Sequence, residues 1–499
     1  MAEMEEAMSK LTINIHIDES KGSDSTGDGS LDKPYQSILG VYISKGTNDL
    51  SESILIYNQA QDDNTGEYIK ASATALKSKK IIRNPFRVFG WVHRLRSQKG
   101  LIFIVLRDGT GFLQCVLTGK LAQTYDAITL TVESTIELTG KVVELPEGKS
   151  ASEGHELQVD WWNVVGKAPG DSEAFNNQIS EESGVDTLAD RRHLVIRGET
   201  ASSVLKLRSA LLDAFRKSYS KLSMIEGGST LFEFGYYGEK AYLTQSSQLY
   251  LETCLPSLGD CFCIQESFRA EKSKTRRHLS EYTHLEGELA FLTFDELLTH
   301  IEELICSTLT ILLEDPKMKK IIESLNPSFK YPSRPFKRME YVEAIAWLNE
   351  RGIEKSVEDG GGPFTHSDDI PEAPERLMTD TIGEPIFLIN FPKEIKAFYM
   401  KRIPDNPNFT ESVDVLMPGV GEIVGGSMRM TGYNELLDAY KNAGISADPY
   451  YWYTDQRKYG TCEHGGYGLG VERFLAWLLG RPHVRECSLY PRYTSRCTP

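Results

Sequence analysis

Apolar residues recur at every second position in five segments between Phe86 and Gly166. These segments are FRVFGWVHRL, LIFIVLRD, GFLQCVLTG, ITLTVESTIELTGKVVEL and HELQVDWWNVVG, and Gly, Asp, Lys or Pro turns separate them. Alternation with a period of two predicts half-buried β-strands. Five short strands in one such stretch predict a small closed barrel.

The hydrophobic period changes after a hinge rich in Gly, Ser, Asp and Asn, KAPGDSEAFNNQISEESG, at 167–184. The next segment, VLKLRSALLDAFRKSYSK, repeats apolar residues at intervals of three and four, which predicts an amphipathic helix. Further strands then alternate with long helices such as FDELLTHIEELICSTLTILLE. We therefore predict an α+β protein with these parts: an N-terminal appended module at 1–75, a basic linker at 76–85, the barrel at 86–167, a hinge at 168–200 and a large C-terminal domain at 201–499.

The N-terminal segment is polar and acidic. It contains the alternating run LTINIHI and the turn-rich stretch KGSDSTGDGS, which predict a small module with a mobile loop. The first ten residues, MAEMEEAMSK, carry acids where a targeting leader would carry bases, and no apolar run has the length that a bilayer requires. We expect a soluble cytoplasmic protein with no membrane partner.

Charge and cysteine content narrow the function classes. The chain has 55 basic and 71 acidic residues, so its formal charge of -16 argues against indiscriminate nucleic-acid binding. The segment 77–107 nevertheless holds nine Lys or Arg and no Asp or Glu, which is a local basic patch. The eight cysteines show no paired CxxC spacing, so we expect neither a zinc site nor a disulfide framework.

The basic patch begins the predicted barrel, which suits a barrel of the OB type. One face of such a barrel presents aromatic rings for base stacking while basic side chains follow the phosphates. Phe103 and Gln114 lie on neighbouring predicted strands, as a stacking ring and an amide that reads a base edge. A core phenylalanine and a surface glutamine are the alternative interpretation.

The stretch SFRAEKSKTRRHLSEYTHLEGE, from Ser267 to Glu288, mixes many charges between two apolar segments. A solvated helix face has this composition too, so the stretch alone leaves its role open. A second stretch, ESVDVLMPGVGEIVGGSMR, puts Asp414 and Glu422 on two predicted strands joined by PGVG. Both carboxylates would suit a hard cation such as magnesium, and structural acids paired to lysine are the alternative.

A third stretch, TCEHGGYGLGVERFLAWLLG, runs from Thr461 to Gly480. Its glycines predict close backbone approach to a ligand, and Glu472 and Arg473 open an apolar helix. The stretch lacks the βαβ context of a dinucleotide fold, and it has no GxxxxGK[ST] phosphate loop. A nucleotide bound here would be neutralised by arginines and a metal ion instead.

SFRAE…RRHLSEY resembles motif 2 of the class II aminoacyl-tRNA synthetases, and GYGLGVER resembles their motif 3. The order of barrel, hinge and large domain is similar to the subgroup that handles aspartate, asparagine and lysine, and the resemblance covers about Phe86 to Pro499. It implies a catalytic domain with an antiparallel sheet flanked by helices. It also implies that the protein uses ATP with Mg2+ and binds tRNA.

The resemblance implies roles for individual residues. In the family the motif 2 arginine binds the α-phosphate, a role that Arg269 would take; His278 would lie near the distal phosphates, Tyr282 would stack on adenine, and Arg473 would bind the γ-phosphate. Arg269, Arg473 and His278 are thus the catalytic candidates. The further residues implied for ATP are Glu271, Arg277, Leu279, Glu422 and Gly470, and those for the metal are Asp414 and Glu422.

The amino-acid site implied by the resemblance comprises Glu226, Gln248, Glu286, Gly425, Arg429 and His464, with Arg429 reaching the substrate side chain. Phe103 and Gln114 match the anticodon-binding positions of the barrel. The segment LTQSSQLYLETCL corresponds to a motif that in aspartyl enzymes resembles QSPQxxK, with a lysine for the substrate carboxylate. Leu251 stands at the position of that lysine. A neutral amide needs no second cation, so asparagine and tRNA(Asn) are the expected substrates.

Three other functions stay open at this point. An aspartyl-tRNA synthetase would activate aspartate, which Leu251 disfavours. A tRNA-independent ligase that forms asparagine would not need the basic barrel. A non-catalytic tRNA-binding relative would bind tRNA without forming an adenylate.

The sequence departs from the family at motif 1, which consists of a helix and a proline-containing strand and builds the family's dimer interface. The helix ending FRKSYSKLS runs directly into MIEGGSTLF, without the proline and with no room for the strand. The resemblance implies a homodimer, but this shortened motif 1 bears directly on dimer formation and activity. The lysine-rich linker of eukaryotic relatives is likewise reduced, to ALKSKK.

Overall fold

The computed structural model describes residues 69–70, 86–98, 100–145, 151, 154–180, 182–221, 225–226, 234–270, 275–357, 360–459 and 461–498. The chain divides into two units, Met1–Glu182 and Ser183–Pro499. Their boundary lies within the segment 168–200 predicted as a hinge. The predicted appended module and basic linker lie outside the described residues, apart from 69–70.

The first unit contains the barrel. Five strands close in the order β2-β3-β4-β6-β5, because β5 also pairs with β2, and β1 adds a short parallel pairing to β2. The predicted five-stranded barrel is confirmed. The strands are β1 Ile69–Lys70, β2 Phe86–Gln98, β3 Leu101–Asp108, β4 Gly111–Thr118, β5 Thr135–Glu144 and β6 His155–Gly166.

One predicted strand is shorter than expected. The segment 128–145 becomes strand only at Thr135, because a one-turn helix, α1 (Tyr125–Ile128), interrupts the β-branched run. The side chain of Thr124 caps this turn by accepting a hydrogen bond from the backbone N–H of Ala127. Glu133 then takes a positive φ of 69°, so the extended conformation of β5 begins only after it.

The second unit begins with short helices and one long helix. Its predicted amphipathic helix is confirmed as α5, on which Leu207, Leu211, Phe215 and Tyr219 repeat at intervals of four and are fully buried. The helices that precede and include it are α2 Phe175–Gln178 (in the first unit), α3 Val185–Asp190, α4 Arg192–Val195 and α5 Glu199–Lys221.

An eight-stranded sheet forms the centre of the second unit, in the order β12-β13-β16-β17-β18-β11-β10-β7. Its neighbouring strands are antiparallel except at the two edges, where β12 pairs with β13 and β7 with β10 in parallel. The strands of this unit are β7 Ile225–Glu226, β8 Phe234–Tyr236, β9 Glu239–Ala241, β10 Cys261–Phe268, β11 Glu281–Ala290, β12 Lys337–Glu340, β13 Ile386–Ile389, β14 Arg402–Ile403, β15 Asn406–Thr410, β16 Ser412–Met417, β17 Gly421–Met428 and β18 His464–Gly470.

Helices pack on this sheet, as expected for an α+β domain. The predicted long helix is α7, and Thr293 begins it with a capping box to Glu296. The helices are α6 Gln248–Leu258, α7 Phe294–Glu314, α8 Pro316–Leu325, α9 Tyr341–Glu350, α10 Glu372–Ile382, α11 Tyr433–Asn442, α12 Tyr451–Thr454 and α13 Val471–Leu478. None of the helices in the described part of the chain has the length and apolar character that crossing a membrane requires.

Tyr467 of the central sheet joins α5 and α7 through one hydrogen bond to each helix. The hydroxyl of Tyr219 lies 2.9 Å from that of Tyr467 on β18, which in turn lies 2.9 Å from Nε2 of His300 on α7. The Tyr467 ring packs under Gly287 of β11, where an added Cβ would lie 3.2 Å from the ring. These contacts fix α5 against the strands that line the site described below.

A strand does follow α5, contrary to the expectation that the sequence leaves no room for one. It has only two residues, Ile225 and Glu226, which pair with Cys261 and Phe262 of β10. The segment that joins helix and strand is correspondingly short, since α5 ends at Lys221.

Candidate active site

A cavity of about 440 Å³ opens on the sheet of the second unit, over β11, β17 and β18. Its size is within the range typical of small-molecule sites. The cavity brings together most of the residues proposed from the sequence, which arrive from four separate stretches of the chain. These lining residues are Gln248, Arg269, Arg277, His278, Leu279, Tyr282, Glu286, Asp414, Glu422, Gly425, Arg429, Gly470 and Arg473.

Three arginines, Arg269, Arg277 and Arg473, form what we call the arginine cluster at one end of the cavity. Arg473 donates from Nη1 to the Glu422 carboxylate at 2.9 Å and from Nε to the carbonyl of Arg277 at 3.1 Å. Arg277 donates from Nη1 to Glu375, while its buried Nε has no hydrogen-bond partner among the described residues. The protein therefore orients these cations and leaves a donor for a ligand.

Tyr282 offers a ring to the same end of the cavity. The guanidinium of Arg269 lies 5.5 Å from its ring centroid, and its buried hydroxyl has no hydrogen-bond partner in the described part of the chain. Burial raises the pKa of Tyr282 to about 12 against the opposing charge of Arg269, so the hydroxyl stays neutral. His278, close by, is oriented by a hydrogen bond between Nδ1 and the hydroxyl of Thr275.

Asp414 and Glu422 lie on β16 and β17, as predicted, and converge beside Gly425. A Cβ at Gly425 would lie 3.3 Å from Oε1 of Glu422 and 3.4 Å from Oδ1 of Asp414, so only glycine leaves the space between them open. Each carboxylate also meets a cation, since Lys396 lies 2.8 Å from Asp414 and Arg473 lies 2.9 Å from Glu422. The alternative of an acid paired to lysine is thus found at Asp414, which also borders the open space at Gly425.

The two carboxylates differ in their affinity for protons. Burial raises the pKa of Glu422, but the positive charges of Arg473 and Arg277 outweigh it and lower that pKa to about 2. Burial raises the pKa of Asp414 in spite of the attraction of Lys396. The described residues contain no group of three or more Asp, Glu, His or Cys side chains arranged to hold a metal ion. Two carboxylates fit a magnesium ion that takes its other oxygens from a phosphate ligand and water.

Glu286 organises the loop that enters α6. Its carboxylate accepts hydrogen bonds from the hydroxyl of Ser246 and from the backbone N–H of Ser247 at 2.7 Å. Burial raises its pKa, but His284 and these hydrogen bonds outweigh burial and lower it to about 2. An ionised carboxylate therefore holds the first turn of α6, and with it Gln248, at the cavity wall.

A buried charge cluster lies behind the other end of the cavity. It consists of Glu252, Glu288, Arg429, Arg457 and His464, and only Arg429 among them lines the cavity. Arg429 binds Glu288 through Nε and Nη2 and the hydroxyl of Ser427 through Nη1. Glu252 accepts hydrogen bonds from Arg457 at 2.6 Å and from His464 at 3.0 Å. These side chains are almost fully buried, so each charge depends on its partner.

The glycines of β18 have a packing role that was not predicted from the sequence. A Cβ at Gly466 would lie 2.2 Å from Oε1 of Glu288, and a Cβ at Gly468 would lie 2.2 Å from Nε2 of His284. Both positions must therefore be glycine to admit neighbouring side chains of β11. Gly468 and Gly470 also line the cavity, so close approach of a ligand to this strand stays a prediction.

The structure does not bring every proposed residue to the cavity. The imidazole of His464 contacts Glu252 instead of lining the wall. Glu226 lies on β7, but its side chain is outside the described part of the structure, and Glu271 is outside it altogether.

Phe103 and Gln114 belong to the barrel and lie on its outer face. On β3 the even-numbered residues Ile102, Ile104 and Leu106 are buried, so Phe103 points away from the core, under the guanidinium of Arg96 at 4.9 Å. Gln114 pairs with the outward-facing Val105 and donates to Glu156 at 2.7 Å. A half-buried ring beside a basic side chain is the arrangement expected for a base-stacking surface.

Sequence reasoning missed four residues of the site: Glu252, Glu288, Glu375 and Arg457. The available signal for Glu252 was its position four residues after Gln248 on a helix. The Nε2 of Gln248 does donate a hydrogen bond to Glu252 at 3.1 Å. The period of β11 could have found Glu288, which is on the same face as Glu286. No local pattern marks Glu375 or Arg457, because both reach the site from distant helical segments.

Two family models match the chain. One, described as tRNA synthetases class II (D, K and N), matches residues 184–494, and the other, described as an OB-fold nucleic acid binding domain, matches residues 86–182. Together they cover the cavity and the barrel. The first alone matches more than half of the chain.

Curated relatives and solved structures agree with these models. The chain is 47% identical to the cytoplasmic asparagine–tRNA ligase of Bos taurus over 560 aligned residues, which cover 99% of each chain. It is 59% identical to that of Debaryomyces hansenii over 83% of this chain and 76% of the relative. The structure of Entamoeba histolytica asparaginyl-tRNA synthetase in complex with asparaginyl-adenylate superposes with a TM-score of 0.82 at 46% identity, over 87% of this chain and all of that one.

Proposed function

The chain belongs to the class II tRNA synthetases of the aspartate, lysine and asparagine group, and we propose that it is an asparagine–tRNA ligase. The reaction activates asparagine with ATP to asparaginyl-adenylate and then transfers the asparaginyl group to tRNA(Asn). AMP and diphosphate are the other products. The cytoplasm is the proposed location, as in the names of its curated relatives.

The observation that carries the choice of asparagine is the amino-acid end of the cavity. Arg429 lines it and is paired with Glu288 through Nε and Nη2 and with Ser427 through Nη1. Leu251, 1% exposed on α6, supplies no second cation. A substrate carboxylate would compete with Glu288 for the charge of Arg429, whereas a carboxamide would not need a cation. The likeness to asparagine–tRNA ligases supports the same choice.

Activation depends on the arginine cluster. A carboxylate oxygen of asparagine attacks the α-phosphorus of ATP, the bond to the bridging oxygen breaks, and diphosphate leaves. Arg269 binds the α-phosphate and Arg473 the γ-phosphate, so that fixed cations meet the charge that develops on the phosphoryl oxygens. His278 lies near the distal phosphates, and Tyr282 stacks on adenine. Arg277 offers its Nε, which no other described residue binds.

Asp414 and Glu422 are the proposed magnesium ligands, since their carboxylates flank the open space at Gly425. A magnesium ion supplies further positive charge to the phosphates. The low pKa of Glu422 supports this role, because a metal ligand must be ionised. Lys396 and Arg473 hold the two carboxylates in place for the ion.

Gln248, Glu286, Arg429 and Gly425 form the proposed asparagine site with Glu226, and His464 supports it from behind. The second step transfers the asparaginyl group to the terminal ribose hydroxyl of tRNA. The barrel binds the anticodon loop, where Phe103 stacks on a base and Gln114 reads a base edge.

ATP–pyrophosphate exchange on the purified chain, with asparagine and aspartate side by side, tests this proposal. We expect exchange that depends on asparagine, and exchange that depends only on aspartate would replace the proposal with an aspartyl enzyme. The mass of the same sample in solution shows whether a homodimer forms with the short β7. No exchange with either amino acid, together with tRNA binding, would establish the non-catalytic alternative.

A further inference from the structure

We propose that Glu252 is a positioning residue that tunes this site for an uncharged amide side chain and against a carboxylate, by neutralising buried positive charge behind Arg429. The inference rests on the proposed function, because it concerns how that site tells asparagine from aspartate.

Glu252 lies at the centre of the buried charge cluster. It is on α6, one turn after Gln248, is 2% exposed and does not line the cavity. Its Oε2 accepts hydrogen bonds from Arg457 at 2.6 Å, from the hydroxyl of Tyr453 at 2.8 Å and from His464 at 3.0 Å, and its Oε1 accepts one from Gln248 at 3.1 Å. These four donors occupy the acceptor sites of one buried ionised carboxylate.

The partners of His464 determine its charge. Its Nδ1 lies 2.8 Å from the backbone carbonyl of Cys462, and its Nε2 lies 3.0 Å from the carboxylate of Glu252. Both partners only accept hydrogen bonds when Glu252 is ionised, so both ring nitrogens must carry protons. Glu252 is ionised, because His464, Arg457 and Arg429 overcome burial and hold its pKa well below the usual range. One carboxylate thus faces two cations, His464 and Arg457.

Glu252 is the acceptor that the buried cations behind the cavity share. Arg457 and His464 both donate to its carboxylate, and the Nε of Arg429 lies 3.8 Å from it. Burial raises the pKa of the neighbouring Glu288 to about 7, so Glu288 neutralises Arg429 less completely than an ordinary carboxylate would. A bound amide adds no charge beside these cations, whereas a bound carboxylate adds a negative charge, and Glu252 reduces the positive charge that would attract it.

Glu252 acts on the substrate through Arg429. Arg429 lines the cavity, and its Nε lies 3.8 Å from Oε1 of Glu252, so Glu252 and Glu288 share its positive charge. Glu252→Gln would remove one negative charge while keeping the shape of the side chain. The surplus positive charge would then reside next to the substrate side chain and attract a carboxylate.

The test is ATP–pyrophosphate exchange with asparagine and with aspartate for the parent and four variants of the full chain. For Glu252→Gln we expect the ratio of kcat/KM for asparagine to that for aspartate to fall about tenfold or more, through a lower KM for aspartate. Arg457→Gln removes positive charge and should raise the ratio. The double variant has the same net charge as the parent, so its ratio of kcat/KM values should return towards that of the parent.

The matched control is Glu302→Gln. Glu302 is also a buried carboxylate that accepts from an arginine, Arg334, and from a backbone N–H, that of Phe336, both at 2.6 Å. None of these residues lines the cavity. Thermal unfolding of every variant measures the loss of stability that removal of a buried charge partner brings. The Glu302 variant should lose stability and keep the parent ratio.

A purely structural role predicts a different result. If Glu252→Gln lowers exchange with both amino acids by the same factor, the inference is wrong and the proposed function stands. If that variant does not fold, Arg457→Gln decides, and a ratio unchanged from the parent or below it would overturn the inference. A parent chain with no asparagine-dependent exchange would overturn the proposed function, and this inference with it.

Discussion

The two ends of the cavity are both rich in charge, but they hold it differently. In the arginine cluster the side chains of Arg277 and Arg473 remain 11% and 17% exposed, and a buried N–H of Arg277 has no partner among the described residues. In the buried charge cluster the side chains of Arg429 and Arg457 are 3% and 1% exposed and pair with Glu288 and Glu252.

This difference matches the ligands proposed for each end. Triphosphate brings several negative charges, so the end that receives it needs cations with unused donors and access to solvent. An amide side chain brings none, so charges near it must already cancel. Arginines and carboxylates thus form a site for a charged ligand at one end and a site for an uncharged ligand at the other. The number of partners that each charge already has decides between the two.

Removal of a cation from the arginine cluster should have the largest effect. We expect Arg269→Ala and Arg473→Ala each to lower adenylate formation by about a thousandfold or more, since each removes a cation from developing phosphoryl charge. The measurement is ATP–pyrophosphate exchange, with tRNA binding measured on the same samples and largely retained.

Arg351→Ala is the control for these two variants, because Arg351 is an arginine on the surface that stacks on Trp347. It should keep the parent rate of exchange. Exchange near the parent rate in either cluster variant would contradict the roles given to Arg269 and Arg473.

Glu286, beside the buried charge cluster, allows the effect of pH at that end of the cavity to be tested. Because its pKa is lowered to about 2, its ionised form stabilises the fold above pH 4.5, and this stabilisation is lost as the pH falls from 4.5 towards 2. Glu286→Gln should therefore cost about 3 kcal/mol of the free energy of unfolding at pH 7, and the difference from the parent should shrink below pH 4.5. Urea unfolding between pH 7 and pH 3 measures both quantities.

The control for the pH test is Glu323→Gln, at an exposed glutamate that pairs only loosely with Lys319 at 3.9 Å. Its unfolding should follow the parent at every pH. A difference between Glu286→Gln and the parent that stays constant with pH would show that Glu286 does not titrate as stated.

Substitution of a proposed metal ligand tests whether the end of the cavity with the arginine cluster needs a metal ion. We expect Asp414→Asn to raise the magnesium concentration that gives half-maximal exchange by about tenfold or more, because one carboxylate is lost. Chelation of magnesium should abolish exchange in the parent. Asp295→Asn, at an exposed residue paired with Arg338, should leave the magnesium dependence unchanged, and an unchanged dependence in Asp414→Asn would remove Asp414 from the site.

The smallest effect should come from the barrel, outside the cavity. Phe103→Ala removes one stacking ring, so we expect tRNA binding to weaken by about tenfold. Exchange without tRNA should stay at the parent rate, since the ring belongs to the other unit. Phe291→Ala removes a ring that is 86% exposed and should not change tRNA binding. Equal tRNA affinity for Phe103→Ala and the parent would argue against a role of Phe103 at the anticodon.

Much of the fold could be predicted because its signals are local. The alternation in 86–166 and the apolar spacing of α5 each report burial along one element, and both predictions are confirmed. The start of β5 at Thr135 could not be predicted from alternation, since the cap at Thr124 and the positive φ of Glu133 override the strand preference of the neighbouring β-branched residues.

The site could be predicted only where one stretch holds several of its residues. Arg269, His278 and Tyr282 share a motif, and Asp414 and Glu422 share a hairpin. Glu375 and Arg457 meet the site through α10 and the turn after α12, far from any motif, so their roles depend on tertiary packing. The packing role of Gly466 and Gly468 could not be predicted, because the sequence does not show that Glu288 and His284 lie opposite them.

The hydrogen-bonded path from Tyr219 through Tyr467 to His300 has a mechanical consequence. The rings of Tyr219 and Tyr467 join α5 to β18 directly, so the position of the helix does not depend only on the short segment before β7. The Tyr467 ring also fills the space beside Gly287 of β11. The packing of α5 and the placement of Glu286, Glu288 and His464 therefore depend on the same two strands.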